Sequence, residues 1–302
     1  MIEFDVCYRQ TSIFIQPLTK GGLPWKYLKP QSIVSITTPK TPKKNTVVNY
    51  QVFLTRFNKQ FGERELHTIT SEEILAFLTR LGENTNQTTK RHRYSLLNAF
   101  FNLIKNTIDS KLSNPCDTMM LRKIFRHSKG VQWTIYEKEL IDEMIFKTTK
   151  VRNRLLLELM ARGGMRIGEV LKIRPLDVEN RKIILHNPKS GREAEFVYIP
   201  QKIADRLKEY IRTKNIDNNQ RIFPLTYGGA REIVKRAGRL VGIKLKCHDL
   251  RRHAATYASR SGTPLEIVSK VIMRHSNLST TQRYLGRVSE TEAVKWIENL
   301  YG

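Results

Sequence analysis

Cysteine is scarce in this sequence, acidic residues are few for the number of basic ones, and long apolar runs are missing. Each shortage excludes something. The three cysteines, Cys7, Cys116 and Cys247, lie far apart and form no CxxC pair, so a disulfide ladder is excluded. Free thiols in a reducing cytosol are the expected state. No apolar stretch approaches the ~18 residues that a membrane span needs. Met1 to Gln10 lacks a basic segment followed by an apolar run, so no secretory signal is expected and the location is read as cytoplasmic.

Positive charge is abundant. Lys and Arg number 53 against 28 Asp and Glu, a net charge of +25 over 302 residues, and a chain so basic needs a polyanionic partner or a strong solubility reason. Nucleic acid fits best, because phosphate neutralisation with counterion release supplies non-specific affinity. An anionic membrane surface fits less well. It calls for a basic amphipathic helix or a dense basic block, and here the charge is spread along the chain.

The length suits two domains. Residues 1–44 read as an N-terminal arm or small extension of no recognisable fold, ending in Thr38-Pro39-Lys40-Thr41-Pro42-Lys43-Lys44. Residues 45–115 read as a compact module of four short helices. Tyr50, Phe53, Leu54, Phe57 and Phe61 recur at helical spacing. Thr70 or Ser71 caps a second helix, with Glu73 early in it. A third helix, from about Thr88, carries Leu96, Leu97, Phe100, Phe101 and Ile104 inward and Lys90, Arg91 and Arg93 on a basic edge. The aromatic residues are expected in the core, and Lys43, Lys44, Lys90, Arg91 and Arg93 against phosphate. Asn114-Pro115 ends the module, and 116–132 is a basic linker.

The remainder, 133–302, mixes helices with one strand pair. Thr134 and Glu137 match a capping box. Lys182–His186 and 196–199 alternate as strands about a Pro188-Lys189-Ser190-Gly191 turn. Helices are expected at about 201–214, 227–241, 248–260, 264–273, 279–285 and 289–300. The last carries an apolar stripe of Ala293, Val294, Trp296, Ile297 and Leu300. The fold class is mainly α with a small β-sheet.

Within this second half lies a set of groups suited to phosphate chemistry. Breaking a phosphodiester without a metal needs cations on the non-bridging oxygens, an in-line nucleophile and an acid for the leaving oxygen. Arginine suits the first task because its planar fork binds two oxygens. Gly163-Gly164-Met165-Arg166-Ile167-Gly168-Glu169 puts an arginine after a glycine turn at a helix start, with Glu169 one turn on to hold it. His248-Asp249-Leu250-Arg251 places a histidine and an arginine on one helical face. His275 precedes Tyr284 by nine residues, and the strand turn offers Lys189. Taken singly, each has an ordinary explanation: a helix salt bridge, a satisfied histidine, a packed tyrosine, a solvated turn lysine.

The order Arg166, Lys189, His248-x-x-Arg251, His275, Tyr284 resembles the tyrosine recombinase (phage integrase) family, by motif over about 130–285. The module at 45–115 is similar to that family's SAM-like core-binding domain by pattern alone. The resemblance implies that Tyr284 attacks the scissile phosphate to form a 3′-phosphotyrosine. It implies that Arg166 and Arg251 clamp the phosphate, that His248 moves the tyrosine proton, and that His275 hydrogen-bonds the phosphate. Lys189 then protonates the leaving 5′-oxygen and Glu169 braces Arg166. It implies double-stranded DNA as partner, no cofactor and no metal, and a homotetramer on two sites with C-terminal helices docked in neighbours. Integration, excision and dimer resolution stay open. So do two alternatives, a type IB topoisomerase-like relaxation activity and a DNA-binding protein that has lost catalysis. The chain departs from the family pattern in Gly163 where Thr is frequent, Arg252 where a second His is common, and Arg274 where Gly is usual.

Overall fold

The structure is a computed structural model describing residues 44–126, 133–186, 188, 193–282, 285, 294 and 297–298. It is mainly helical with one small sheet, and divides into two compact units, Met1–Val131 and Gln132–Gly302. Expectations for the arm at 1–43, Lys189 and its turn, and Tyr284 lie outside the described residues, as does nearly all of the C-terminal helix at 289–300.

The first unit is built on phenylalanine. Helices α1 (Lys44–Phe61), α2 (Ser71–Gly82) and α3 (Gln87–Thr107) bury Phe57, Phe77, Phe100 and Phe101 in one cluster. Phe57 meets Phe77 edge-on at 5.4 Å and Phe100 and Phe101 at 6.0 Å, a geometry worth about 0.5–1.5 kcal/mol per pair beyond area burial. Thr70 caps α2, with Glu73 completing the reciprocal box, and Asn86 caps α3 by accepting from the Thr89 amide.

The linker expected from residue 116 is corrected over its first ten residues. A short helix, α4 (Met119–Ile124), runs there, and Cys116, Leu121 and Phe125 are buried in this unit's core. Phe125 stacks on Tyr94 at 5.3 Å, and the Tyr94 hydroxyl donates to the Cys116 carbonyl. The apolar pair one turn apart outweighs the basic residues between them.

The second unit surrounds α6 (Val151–Ala161), whose residues from Leu155 to Ala161 are all buried. A helix so enclosed is the centre of its domain. It packs against α5 (Lys138–Lys147), α8 (Gln201–Thr213) and α10 (Cys247–Arg260). Helix α5 starts at Lys138 with Glu137 at its N-cap and no side-chain cap, so the box expected at Thr134 does not form. Tyr136 is held elsewhere, its carbonyl accepting from His253 and its hydroxyl donating to the Lys244 carbonyl.

Helix α7 (Ile167–Val170) leads to an antiparallel sheet of β1 (Val178–Glu179), β2 (Lys182–His186) and β3 (Ala194–Tyr198), in that order. The β2–β3 pair matches expectation with the return strand beginning two residues earlier; β1 was not foreseen. Helices α9 (Tyr227–Arg239) and α11 (Leu265–Ile267), a π-helical turn (Val268–Ile272) and α12 (Leu278–Gln282) follow among the described residues. The helix expected over 264–273 is thus mostly π, a form found often beside functional sites.

Candidate active site

Three chain segments converge here: the turn 163–166 after α6, the face of α10, and the loop 273–275 after the π turn. The turn needs its glycines. Gly164 has φ +60°, and a β-carbon there would lie 2.9 Å from the Ile272 carbonyl. At Gly163 a β-carbon would lie 2.8 Å from the Leu159 carbonyl and close to Val197 and Ile199, so no room remains for threonine.

Arg251 locks the three segments together. It is wholly buried on α10, and its guanidinium donates to the Gly164 and Met273 carbonyls. The fork thereby joins the turn before Arg166 to the loop before His275, which makes the residue a structural tie as well as a cation.

Arg166 sits at the N-terminus of α7. Its guanidinium donates to Glu169 Oε1 at 2.5 Å and its amide to Glu169 Oε2 at 2.8 Å, the brace expected from the sequence. The Arg166 side chain keeps 29% of its surface exposed, so it faces solvent. Burial pushes the Glu169 carboxyl up. Arg274, Arg166 and the Arg166 amide more than offset this and hold it below the usual carboxylate range.

His248 and His275 lie among the same cations. Desolvation and then the charges of Arg251, Arg252 and Arg166 lower His248, and Asp249 opposes them. His275 is pushed down to about 4, first by burial and then by Arg251, Arg166, Arg274 and His248. At neutral pH its ring is therefore uncharged. Its Nδ1 is 2.9 Å from the Thr281 hydroxyl, which lies 2.9 Å from that of Ser269 in the π turn. This chain orients the imidazole through α12.

No motif in the sequence assigns a role to Arg274, Glu195 or Trp133. Arg274 is buried with its guanidinium on Glu169 Oε2 at 2.8 Å. Arg252, the replacement for a second histidine, pairs with Asp249 at 2.9 Å and stacks on Trp133 at 4.2 Å. One signal was available: Glu195 shares the inward face of β3 with Val197, and a charge on a core face implies a buried partner.

In the first unit, Lys44 lies in α1. Lys90, Arg91 and Arg93 are half-buried. Arg91 donates to the Phe125 carbonyl at 3.1 Å and Arg93 to the Leu81 carbonyl, so both also serve the C-terminal ends of helices. Among the described residues, no group of three or more His, Cys, Asp or Glu is placed to hold a metal ion, and no helix is long and apolar enough to cross a membrane. A hollow of about 230 Å³ lined by Tyr136, Glu137, His253 and Arg260 shares no residue with the cluster.

Two arginines and two histidines thus act on one another electrostatically in a mainly helical unit. Residues 136–290 match the phage integrase family, and residues 40–106 match the phage integrase N-terminal SAM-like domain. The chain belongs to the phage integrase family, the tyrosine recombinases. It is similar to tyrosine recombinase XerA of Pyrococcus furiosus, 27% identical over 279 residues covering 86% of this chain and 91% of the relative. Tyrosine recombinase XerC of Lactobacillus leichmannii is 26% identical over 282 residues, 85% of this chain and 93% of the relative. The fold is that of the Tn1549 transposon integrase in complex with transposon right end DNA, with TM-score 0.67, 16% identity, and coverage of 91% of this chain and 100% of that one. A lambda integrase dimer bound to a COC' core site gives TM-score 0.66 at 17% identity, covering 83% and 92%.

Proposed function

We propose that this recombinase cleaves and rejoins double-stranded DNA at specific sites through a 3′-phosphotyrosine on Tyr284. The observation that carries the reading is the convergence of Arg166, His248, Arg251 and His275, drawn from three separate segments, in a chain of this family.

The Tyr284 oxygen attacks phosphorus in line with the 5′-oxygen; a tyrosine–phosphate bond forms and the phosphorus–O5′ bond breaks. A phenol titrates near 10, so phenolate at neutral pH costs about 4 kcal/mol without help. His248, held low by desolvation and neighbouring cations, is neutral at that pH and accepts the phenol proton. Lys189 protonates the leaving 5′-oxygen. Arg166, braced by Glu169 and facing solvent, meets the charge on the non-bridging oxygens first. Arg251 has no exposed surface, so its contact with phosphate requires its cover to shift. Uncharged His275 adds an N–H donor. A 5′-hydroxyl from a second duplex reverses the attack, and the bond energy is conserved in the phosphotyrosine.

DNA is further held by Lys43, Lys44, Lys90, Arg91 and Arg93 and by the net charge of +25. Two sites are recombined by a tetramer in which C-terminal helices dock on neighbours; Val294 and Ile297 are exposed apolar residues suited to that docking. The protein works in the cytoplasm.

The test is covalent capture. The protein is incubated with fragmented host DNA and denatured, and only protein-linked DNA is recovered and sequenced, with Tyr284→Phe in parallel. Enrichment of one sequence by the wild type alone is expected. Equal yields from both proteins would contradict the reading.

A further inference from the structure

Four described non-glycine residues have positive φ. Three are asparagines, Asn84, Asn180 and Asn215, and the fourth is Arg274 at +51°. Asparagine tolerates this region and glycine is its default occupant; a long side chain is disfavoured there. A residue kept in such a conformation is held by what surrounds it.

What surrounds Arg274 is an alternating row of charges. Its guanidinium donates to the Ile272 carbonyl at 2.9 Å and to Glu169 Oε2 at 2.8 Å, and its Nε lies 3.6 Å from Glu195 Oε2. The Arg274 and Glu195 side chains are each 3% exposed. Among the described residues, Arg274 is the cation that Glu195 pairs with. Glu169 is shared, one oxygen on the Arg166 guanidinium and the other on Arg274 and the Arg166 amide. The row therefore runs Glu195, Arg274, Glu169, Arg166. It begins on β3, which pairs antiparallel with β2.

Resting on the recombinase reading above, we infer that Arg274 is a positioning residue: it carries an ion-pair chain from Glu195 on β3 through Glu169 to Arg166, and so fixes the guanidinium that meets the phosphate. With glycine at 274 the backbone is at ease, but Glu195 is left as a buried charge without its partner, and Glu169 keeps Arg166 as its hydrogen-bonded cation. The Arg166 fork is then drawn toward Glu169 and away from substrate.

The test is a double-mutant cycle in the full chain with Arg274→Gly, Glu195→Gln and the pair together, plus Arg274→Lys. The DNA is the sequence recovered by covalent capture. Adduct formation is followed in a single turnover at saturating DNA, alongside DNA affinity and thermal unfolding. Arg274→Gly is expected to slow the adduct by about 10–100-fold, the scale of a small misplacement of a reacting group. Its DNA affinity stays within about two-fold, since contacts outside the cluster dominate binding. Arg274→Lys, which keeps the cation, falls between it and the wild type. The double variant is faster than the product of the single effects, because no buried carboxylate is orphaned; that variant also covers the case in which Arg274→Gly folds poorly. Wild-type speed in Arg274→Gly, or single effects that simply multiply, would overturn the inference while leaving the recombinase reading intact. No adduct from the wild type, with Tyr284 present, would overturn both.

Discussion

Replacing Arg251 by lysine separates the two tasks assigned to that side chain. The guanidinium donates to two carbonyls on different segments, Gly164 and Met273, from a position with no exposed surface. A lysine ammonium is a single point and serves one of them. The other loses its donor, and the Gly164 carbonyl would keep only the 3.4 Å contact from Arg274, at a cost of about 1–3 kcal/mol, on top of a lost charge-assisted bond of similar size. A total of about 3 kcal/mol follows. In a domain of this size each kcal/mol lowers Tm by about 2–4 °C, so the catalytic unit should melt about 6–12 °C earlier. Calorimetry on the full chain measures this. Loss of one preorganised donor to the transition state should also slow covalent adduct formation by about 10²–10³-fold. A Tm within about 2 °C of wild type would refute the argument that Arg251 ties the two loops, whatever happened to the rate.

Other expectations follow from single observations. Gly164→Ala, at φ +60° against the Ile272 carbonyl, should lose about 1–2 kcal/mol or more in urea unfolding, whereas Gly168→Ala, with open space around it, should be neutral or slightly stabilising. His275 is held down to about 4 in the folded chain against about 6.5 unfolded, and His248 and His253 are lowered too. The unfolded state then binds more protons between those values, so this contribution to stability is complete above about pH 6.5 and is lost as pH falls toward about 4. Urea midpoints across that window check it, and His275→Gln should flatten the slope. Thr70→Ala removes the cap of α2 and should cost about 1 kcal/mol in the same assay. DNA binding should weaken with salt at a slope of about −0.9 per phosphate contacted, and a flat dependence would count against a role for the net charge.

The parts of the fold that were legible in the sequence are those that local chemistry decides. Thr70 and Glu73 make a cap with each other, and Ile183 and Leu185 alternate with Lys182 and Ile184 so that one face of β2 is buried. The parts that were not legible depend on distant partners. Thr134 and Glu137 have the spacing of a cap, but Tyr136 between them is taken by His253 and Lys244, and the helix starts later. Leu121 and Phe125 look like spacers in a basic run until Tyr94 gives Phe125 a ring to stack on. In the site, the brace from Glu169 to Arg166 spans one helical turn and was readable. Arg274 draws on Glu169 and Glu195 from other elements, and the alternation of β3 announces only that Glu195 has a buried partner, not which residue it is.

Everything proposed for the reaction turns on Tyr284 becoming covalently joined to DNA. The most direct measurement is to digest the captured protein–DNA adduct with protease and nuclease and to locate the residual nucleotide by mass spectrometry. A phosphodiester is expected on the peptide containing Tyr284, with the nucleotide attached through its 3′-oxygen. A nucleotide on any other residue, or attached through its 5′-oxygen, would contradict it.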